Sequence, residues 1–349
     1  MKKAGILTFL HNDNYGSTLQ AYALERTVRD LGWDAVHLNY SPDTREKTLN
    51  LLKSGNHPKL LLEGIRKRRV KTRQGAAREK TEAIGQFYER RMHLTPVCRN
   101  QQELRERRRD CGLLICGSDQ IWNPVWMNPA YFLSFAEPGQ KKVAYAPSLG
   151  VSNAPGKRKA DMIRRLTADF AAVSVREWEG ADILEQVTGK RPMIMPDPVC
   201  LLSAEDWKEL AAGQDQRDPY MLCYLIGEKP DYPREIVAAE RETGLKPLVL
   251  PVTAQAYALG LNLTPKIGPE AFLGAIRDAA LVLTDSFHGL VLATLFGVPV
   301  RLLRRYSDRD PENKNSRIDH FQRLMETGEI SSLREAGRTW LGETLRRCE

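Results

Sequence analysis

The chain has 349 residues, 42% of them hydrophobic and 28% charged, with a formal net charge of +8. That length exceeds one ordinary core and predicts two domains of a soluble globular protein. No apolar run approaches the roughly 18 residues of a membrane span. Cysteines 98, 111, 116, 200, 223 and 348 are scattered without a CxxC or a Cys/His pair, which speaks against zinc and against a disulfide framework and fits a reducing cytoplasm.

The N-terminus, "MKKAGILTFLHNDN", carries two lysines before a short apolar run with no cleavage site, so it reads as a first strand and not as a signal peptide. A polar loop "LHNDNYGS", a helix "TLQAYALERTVRDLG" and a strand "DAVHLNY" complete a βαβ unit, which implies a parallel sheet. Residues 45–110 then break the rhythm with nineteen Lys/Arg against eight Asp/Glu, a local net of +11. They read as a basic helical insertion on one edge of the first domain. Alternation resumes through "CGLLICGSDQIWNP", "KKVAYAPSLG", "DFAAVSVRE", the helix "EWEGADILEQVTGK" and "PMIMPDPV".

A second α/β series follows: "YMLCYLIG", "REIVAAERETG", "PLVLPV", "EAFLGAIRDA", "LVLTD", "GLVLATLFG" and "VPVRLL". The expected organisation is a Rossmann-like domain over 1–200, a second over 201–310 and a helical tail over 311–349. Each domain is a doubly wound α/β sheet with its loops facing a cleft at the carboxyl ends of the strands, where open sheets hold ligands.

Four loops carry candidate chemistry. Thr284-Asp285-Ser286-Phe287-His288-Gly289 separates a central strand from a helix, so free N–H groups and the helix dipole favour an anion there. Asp285 or Ser286 suits the helix cap, and the imidazole of His288 suits proton transfer near neutral pH. Arg176 puts a guanidinium directly after "AAVSV", either to pair with a carboxylate or phosphate or to meet Glu177 or Glu179 at the surface. Asn14-Tyr15-Gly16-Ser17 opens the first helix without the spacing of a dinucleotide site or a P-loop; there Gly16 allows close backbone approach and Ser17 suits a cap. In "ICGSDQIWNP", Asp119, Asn123 and the amphipathic Trp122 suit a sugar's hydroxyls and apolar face, or form a tight polar turn.

Together "NYGSTLQAYAL", "ICGSDQIWNP", "AYAPSLG", "SVREWEG", "PDPVCLL" and "TDSFHGLVLATLFGVPV" resemble the polysaccharide pyruvyl transferase family, in order over residues 4–320. The resemblance implies a GT-B-like pair of α/β domains and transfer of a pyruvyl group from phosphoenolpyruvate to a sugar, with no metal or further cofactor. On matching positions His288 would be the general acid/base and Arg176 a donor-binding arginine. Relatives often carry arginine where this chain has Ser286, so Arg317 or Lys314 would supply the missing charge beside the donor. The basic piece "HPKLLLEGIRKRRVKTR" suits contact with an anionic membrane face or a polyprenyl-diphosphate-linked acceptor. It lacks the interleaved aromatics of a nucleic-acid site, and no nucleic-acid partner is expected. The alternatives are a GT-B nucleotide-sugar glycosyltransferase, although Ser286–Arg301 contains no Glu, or a sugar-binding or donor-switched family member.

Overall fold

A computed structural model describes residues 2–54, 75–213, 218–259, 268–306 and 316–349. Strands β1 (Lys3–Leu7), β2 (Asp34–His37), β3 (Leu113–Cys116), β4 (Lys141–Ala144), β5 (Ala172–Val175) and β6 (Met193–Ile194) form one sheet in the order β2-β1-β3-β4-β5-β6. Strands β7 (Tyr220–Tyr224), β8 (Lys246–Val249), β9 (Leu281–Thr284) and β10 (Val300–Leu302) form a second in the order β10-β9-β7-β8. Every ladder among the described residues is parallel. The helices that matter below are α1 (Tyr15–Asp30), α2 (Trp178–Thr188), α3 (Tyr232–Thr243), α4 (Pro269–Arg277), α5 (Phe287–Phe296), α6 (Ser316–Thr327) and α7 (Ile330–Arg347).

The chain divides into two units: Met1–Arg73, Tyr88–Leu201 and Ser331–Glu349 make the first, Gln74–Phe87 and Leu202–Ile330 the second. Continuous apolar strands in the first unit feed two cores, because successive side chains leave opposite faces of a sheet. Ala4, Ile6, Leu113 and Ile115 join Leu24 and Val28 of α1 on one face, whereas Leu7, Leu114 and Cys116 join Ala181, Ile183, Leu184 and Val187 of α2 on the other. The register puts Ile6 beside Ile115 and Leu7 beside Cys116, so each face stays in phase across the strands.

The expected separate tail is divided between the units. Leu341 and Leu345 of α7 are buried in the core that contains Ile6 and Leu113, so this helix covers the first sheet. An amphipathic helix must bury its apolar stripe, and the stripe here has a face of that sheet beneath it.

The segment between β2 and β3 meets the first sheet at its β2 edge, through parallel bridges from His37 to Leu94 and from Tyr40 to Cys98. A helix at Gln101–Arg107, capped by Asn100 and anchored by buried Leu104, leads back to β3. The most basic stretch, "HPKLLLEGIRKRRVKTR", lies outside the described residues.

In the second unit, Met221, Cys223, Leu283 and Val249 pack with Tyr232, Ile236 and Ala239 of α3. Helix α5 is apolar on every side and buried from Phe287 to Ala293, and it stops where Gly297 takes the left-handed conformation at φ 70°. No helix among the described residues is long and apolar enough to cross a membrane.

Candidate functional site

The carboxyl ends of the first sheet collect a polar seam. Helix α1 begins at Tyr15, so Tyr15, Gly16 and Ser17 lie in its first turn and not in the loop before it. Asn14 is the cap, its side chain accepting the Ser17 N–H at 3.2 Å. The Ser17 hydroxyl, which does not cap, donates instead to the carboxylate of Asp119. Asp119 sits in the left-handed region at φ 67°, and its other oxygen accepts the Gln120 N–H at 2.8 Å.

Arg176 follows β5 as expected but is only 3% exposed, which removes the surface pairing as its explanation. It bonds the carboxylate of Asp197 and lies 3.8 Å from Asp119 and 3.9 Å from Glu177. Burial works against its charge, yet the carboxylates of Asp197, Asp119 and Glu177 hold its pKa above the usual arginine value. Glu177 in turn accepts the Ser148 hydroxyl at 2.9 Å and the Leu149 N–H at 3.0 Å, while the Asp119 carbonyl accepts the Ser148 N–H at 2.8 Å. One guanidinium thus faces three carboxylates, so the seam carries no surplus positive charge for an anionic ligand.

Two of the expected sugar contacts are interior groups. Trp122 is 1% exposed: its ring stacks on Phe132 at 4.8 Å and its indole N–H donates to the Tyr131 carbonyl at 3.0 Å. Asn123 is fully buried, and its carbonyl oxygen accepts the Val125 N–H at 2.8 Å within its own turn. Tyr15 is buried as well. The indole that faces solvent is Trp126, 38% exposed in the same loop. Two tryptophans four residues apart in an irregular loop have no periodicity to say which one faces inward.

In the second unit, β9 ends at Thr284, whose hydroxyl donates to the Tyr224 carbonyl at 2.6 Å. Ser286 is the cap of α5 and accepts the Gly289 N–H at 3.4 Å. Asp285 does not cap. Its carboxylate accepts the Ile226 N–H at 2.7 Å, the Gly227 N–H at 2.8 Å and the Tyr232 hydroxyl at 2.8 Å. Burial, and then Asp285 itself, push the Tyr232 hydroxyl pKa up, so it stays a neutral donor.

His288 lies in the first turn of α5, 7% exposed, with its ring edge-on to Phe287 at 5.2 Å. Arg317, from the start of α6, holds its guanidinium carbon 5.8 Å from the centre of the same Phe287 ring. The structure therefore brings Ser286, His288 and Arg317 to one helix start, whereas Lys314 lies outside the described residues. The sequence reading missed Arg305, which follows β10 at the same end of the sheet.

Two parallel α/β units with polar groups gathered at their strand ends define a GT-B-like protein. Among solved structures, UDP-GlcNAc 2-epimerase from Neisseria meningitidis, bound to UDP-GlcNAc, is similar at a TM-score of 0.53 and 12% identity over 99% of this chain and 100% of that one. A further UDP-N-acetylglucosamine 2-epimerase reaches 0.50 at 12% identity over 100% and 94%. Identity this low shows the fold and nothing finer. No curated protein matches the chain. A family model described as polysaccharide pyruvyl transferase matches residues 14–306, and the chain belongs to that family. It is accordingly a transferase of polysaccharide biosynthesis.

Proposed function

We propose that the protein transfers a pyruvyl group from phosphoenolpyruvate to two hydroxyls of one sugar, closing a ketal and releasing phosphate. The observation that carries this reading is His288 in the first turn of the helix after β9, inside the span that defines the family. In the proposed reaction an acid delivers a proton to the methylene carbon of the enol phosphate, and positive character develops at C2. One sugar oxygen then bonds to C2 and loses its proton to a base. Phosphate departs carrying the proton of the second hydroxyl, whose oxygen bonds C2 in its place. His288 serves as that acid and base in turn, a contribution of roughly 10²–10⁴ in rate.

Arg317, stacked on Phe287, supplies positive charge for the donor in this reading. Arg176 is already surrounded by carboxylates, so its part is to position Asp119. Asp119 and the exposed indole of Trp126 are assigned to the sugar, because a carboxylate and an aromatic face suit hydroxyls and the apolar side of a pyranose. The acceptor is proposed to be polyprenyl-diphosphate-linked, with the basic segment touching an anionic membrane surface from the cytoplasmic side.

The test is phosphate release from phosphoenolpyruvate with candidate lipid-linked sugars. Release that depends on the sugar and falls at least a hundredfold in His288→Ala is expected; release undiminished in that variant refutes the role of His288. Co-sedimentation with anionic but not neutral vesicles, weakened by salt, is expected of the membrane contact.

A further inference from the structure

Arg305 follows β10 at the carboxyl end of the second sheet. The Leu303 N–H bonds the Thr284 carbonyl at 2.8 Å, so the chain leaving β10 runs beside the loop that carries Asp285, Ser286 and His288. Arg305 then packs over Gly227: a Cβ on that glycine would lie 2.9 Å from Arg305 Cδ and 2.7 Å from Asp285 Oδ2. Its guanidinium carbon rests 5.0 Å from the centre of the Tyr306 ring.

Arg305 Nε is buried without a hydrogen-bond partner, and no carboxylate among the described residues pairs with the guanidinium. The acid beside it is already committed, because the Asp285 carboxylate accepts from Ile226, Gly227 and Tyr232. Neighbouring arginines differ: Arg301 pairs with Glu242 and Glu235, and Arg304 with Asp319. A buried charged donor left unmade is costly, and a planar guanidinium with no acid of its own among the described residues suits a carboxylate or phosphate from outside the chain. The charge of Arg305 also acts on Tyr224, whose hydroxyl meets Ser286, which ties it to the start of α5.

We propose that Arg305 is a binding residue for an anionic group, a phosphate or a carboxylate, held beside Ser286 at the start of α5. Its assignment to the donor rests on the phosphoenolpyruvate reading above. Arginine, with its forked donors, fills this role in a way that a point charge cannot.

The test is calorimetric titration of the full chain with phosphoenolpyruvate, inorganic phosphate and UDP, using wild type, Arg305→Gln and Arg305→Lys, with the melting temperature of each. Arg305→Gln is expected to weaken phosphoenolpyruvate and phosphate binding roughly 10- to 100-fold at a near-native melting temperature, and to flatten the salt dependence of binding. Arg305→Lys is expected to fall about tenfold short of wild type. Unchanged affinity in Arg305→Gln overturns the proposal, as does failure of wild type to bind any of the three. Should Arg305→Gln not fold, a folded Arg305→Lys with wild-type affinity overturns it. If phosphoenolpyruvate binds independently of Arg305, only the present assignment falls. If phosphate or UDP binds through Arg305 but phosphoenolpyruvate neither binds nor releases phosphate, the anion site stands and the donor reading falls.

Discussion

The carboxylate of Asp285 accepts the backbone N–H of Gly227 at 2.8 Å, so the loop after β9 holds the loop after β7 in place. Asp285→Ala orphans two backbone donors and the Tyr232 hydroxyl. At about 1–3 kcal/mol for each buried group left unsatisfied, a total loss of about 3–9 kcal/mol is expected in urea unfolding. Gly227→Ala is expected to cost about 1–3 kcal/mol by a different route, because its Cβ would stand 2.7 Å from Asp285 Oδ2 and 3.0 Å from the Tyr232 hydroxyl. Wild-type midpoints in both variants would show that the loops do not depend on this contact.

The two tryptophans of the β3 loop are expected to separate stability from recognition. Trp122→Ala removes a ring stacked on Phe132 and is expected to lose about 3–5 kcal/mol. Trp126→Ala, at an exposed site, is expected to stay within about 0.5 kcal/mol of wild type while raising KM for the sugar several-fold at little change in kcat. An unchanged KM would exclude Trp126 from the acceptor site.

Acid is expected to destabilise the second unit through His320. Burial, and then the charge of Arg323, lower its pKa from 6.5 to about 4. Between those values the unfolded chain takes up a proton that the folded one refuses. Stability is therefore complete above pH 6.5 and falls as pH drops toward 4. Buried His37 in the first unit, its pKa lowered chiefly by desolvation, acts in the same direction. Melting temperatures from pH 7.5 to 4.5 should fall more steeply for wild type than for His320→Gln; parallel curves would exclude this histidine as a source of the loss.

Ser17 and Asp119 are expected to be coupled. Ser17→Ala and Asp119→Asn in a double-mutant cycle should show an interaction of about 0.5–3 kcal/mol, as contacting polar residues do. Strict additivity would mean that their hydrogen bond contributes nothing to the fold.

The parallel sheets were legible because β3, β7 and β9 are short apolar runs closed by polar turns, and α1, α2 and α5 follow strands at crossover distance. The site was legible only at the level of loops. His288 and Arg176 could be assigned to strand ends, since the period of the pattern changes there. The partners of Arg176 could not, because Asp119 and Asp197 lie 57 residues before it and 21 after it in the chain. Asp285 and Ser286 were equally good caps by residue type; which one caps is decided by the Ile226 and Gly227 amides, whose positions depend on a neighbouring strand. Arg305 gave no local signal, being one of several arginines in "VRLLRRYSDR" until the ion pairs of Arg301 and Arg304 set it apart.

The polar seam of the first unit joins segments that follow five strands. Ser17 comes after β1, Asp119 after β3, Ser148 after β4, Arg176 after β5 and Asp197 after β6, all linked by hydrogen bonds or ion pairs that run through Asp119 and Arg176. Such a rim has few independent degrees of freedom: tilting one loop strains all five. A ligand that settled on it would meet a surface whose ordering entropy was surrendered during folding. Selectivity there would arise from rejecting shapes that do not fit, as a mould does, and substitutions remote from the ligand but within the rim would alter it as strongly as those that touch it.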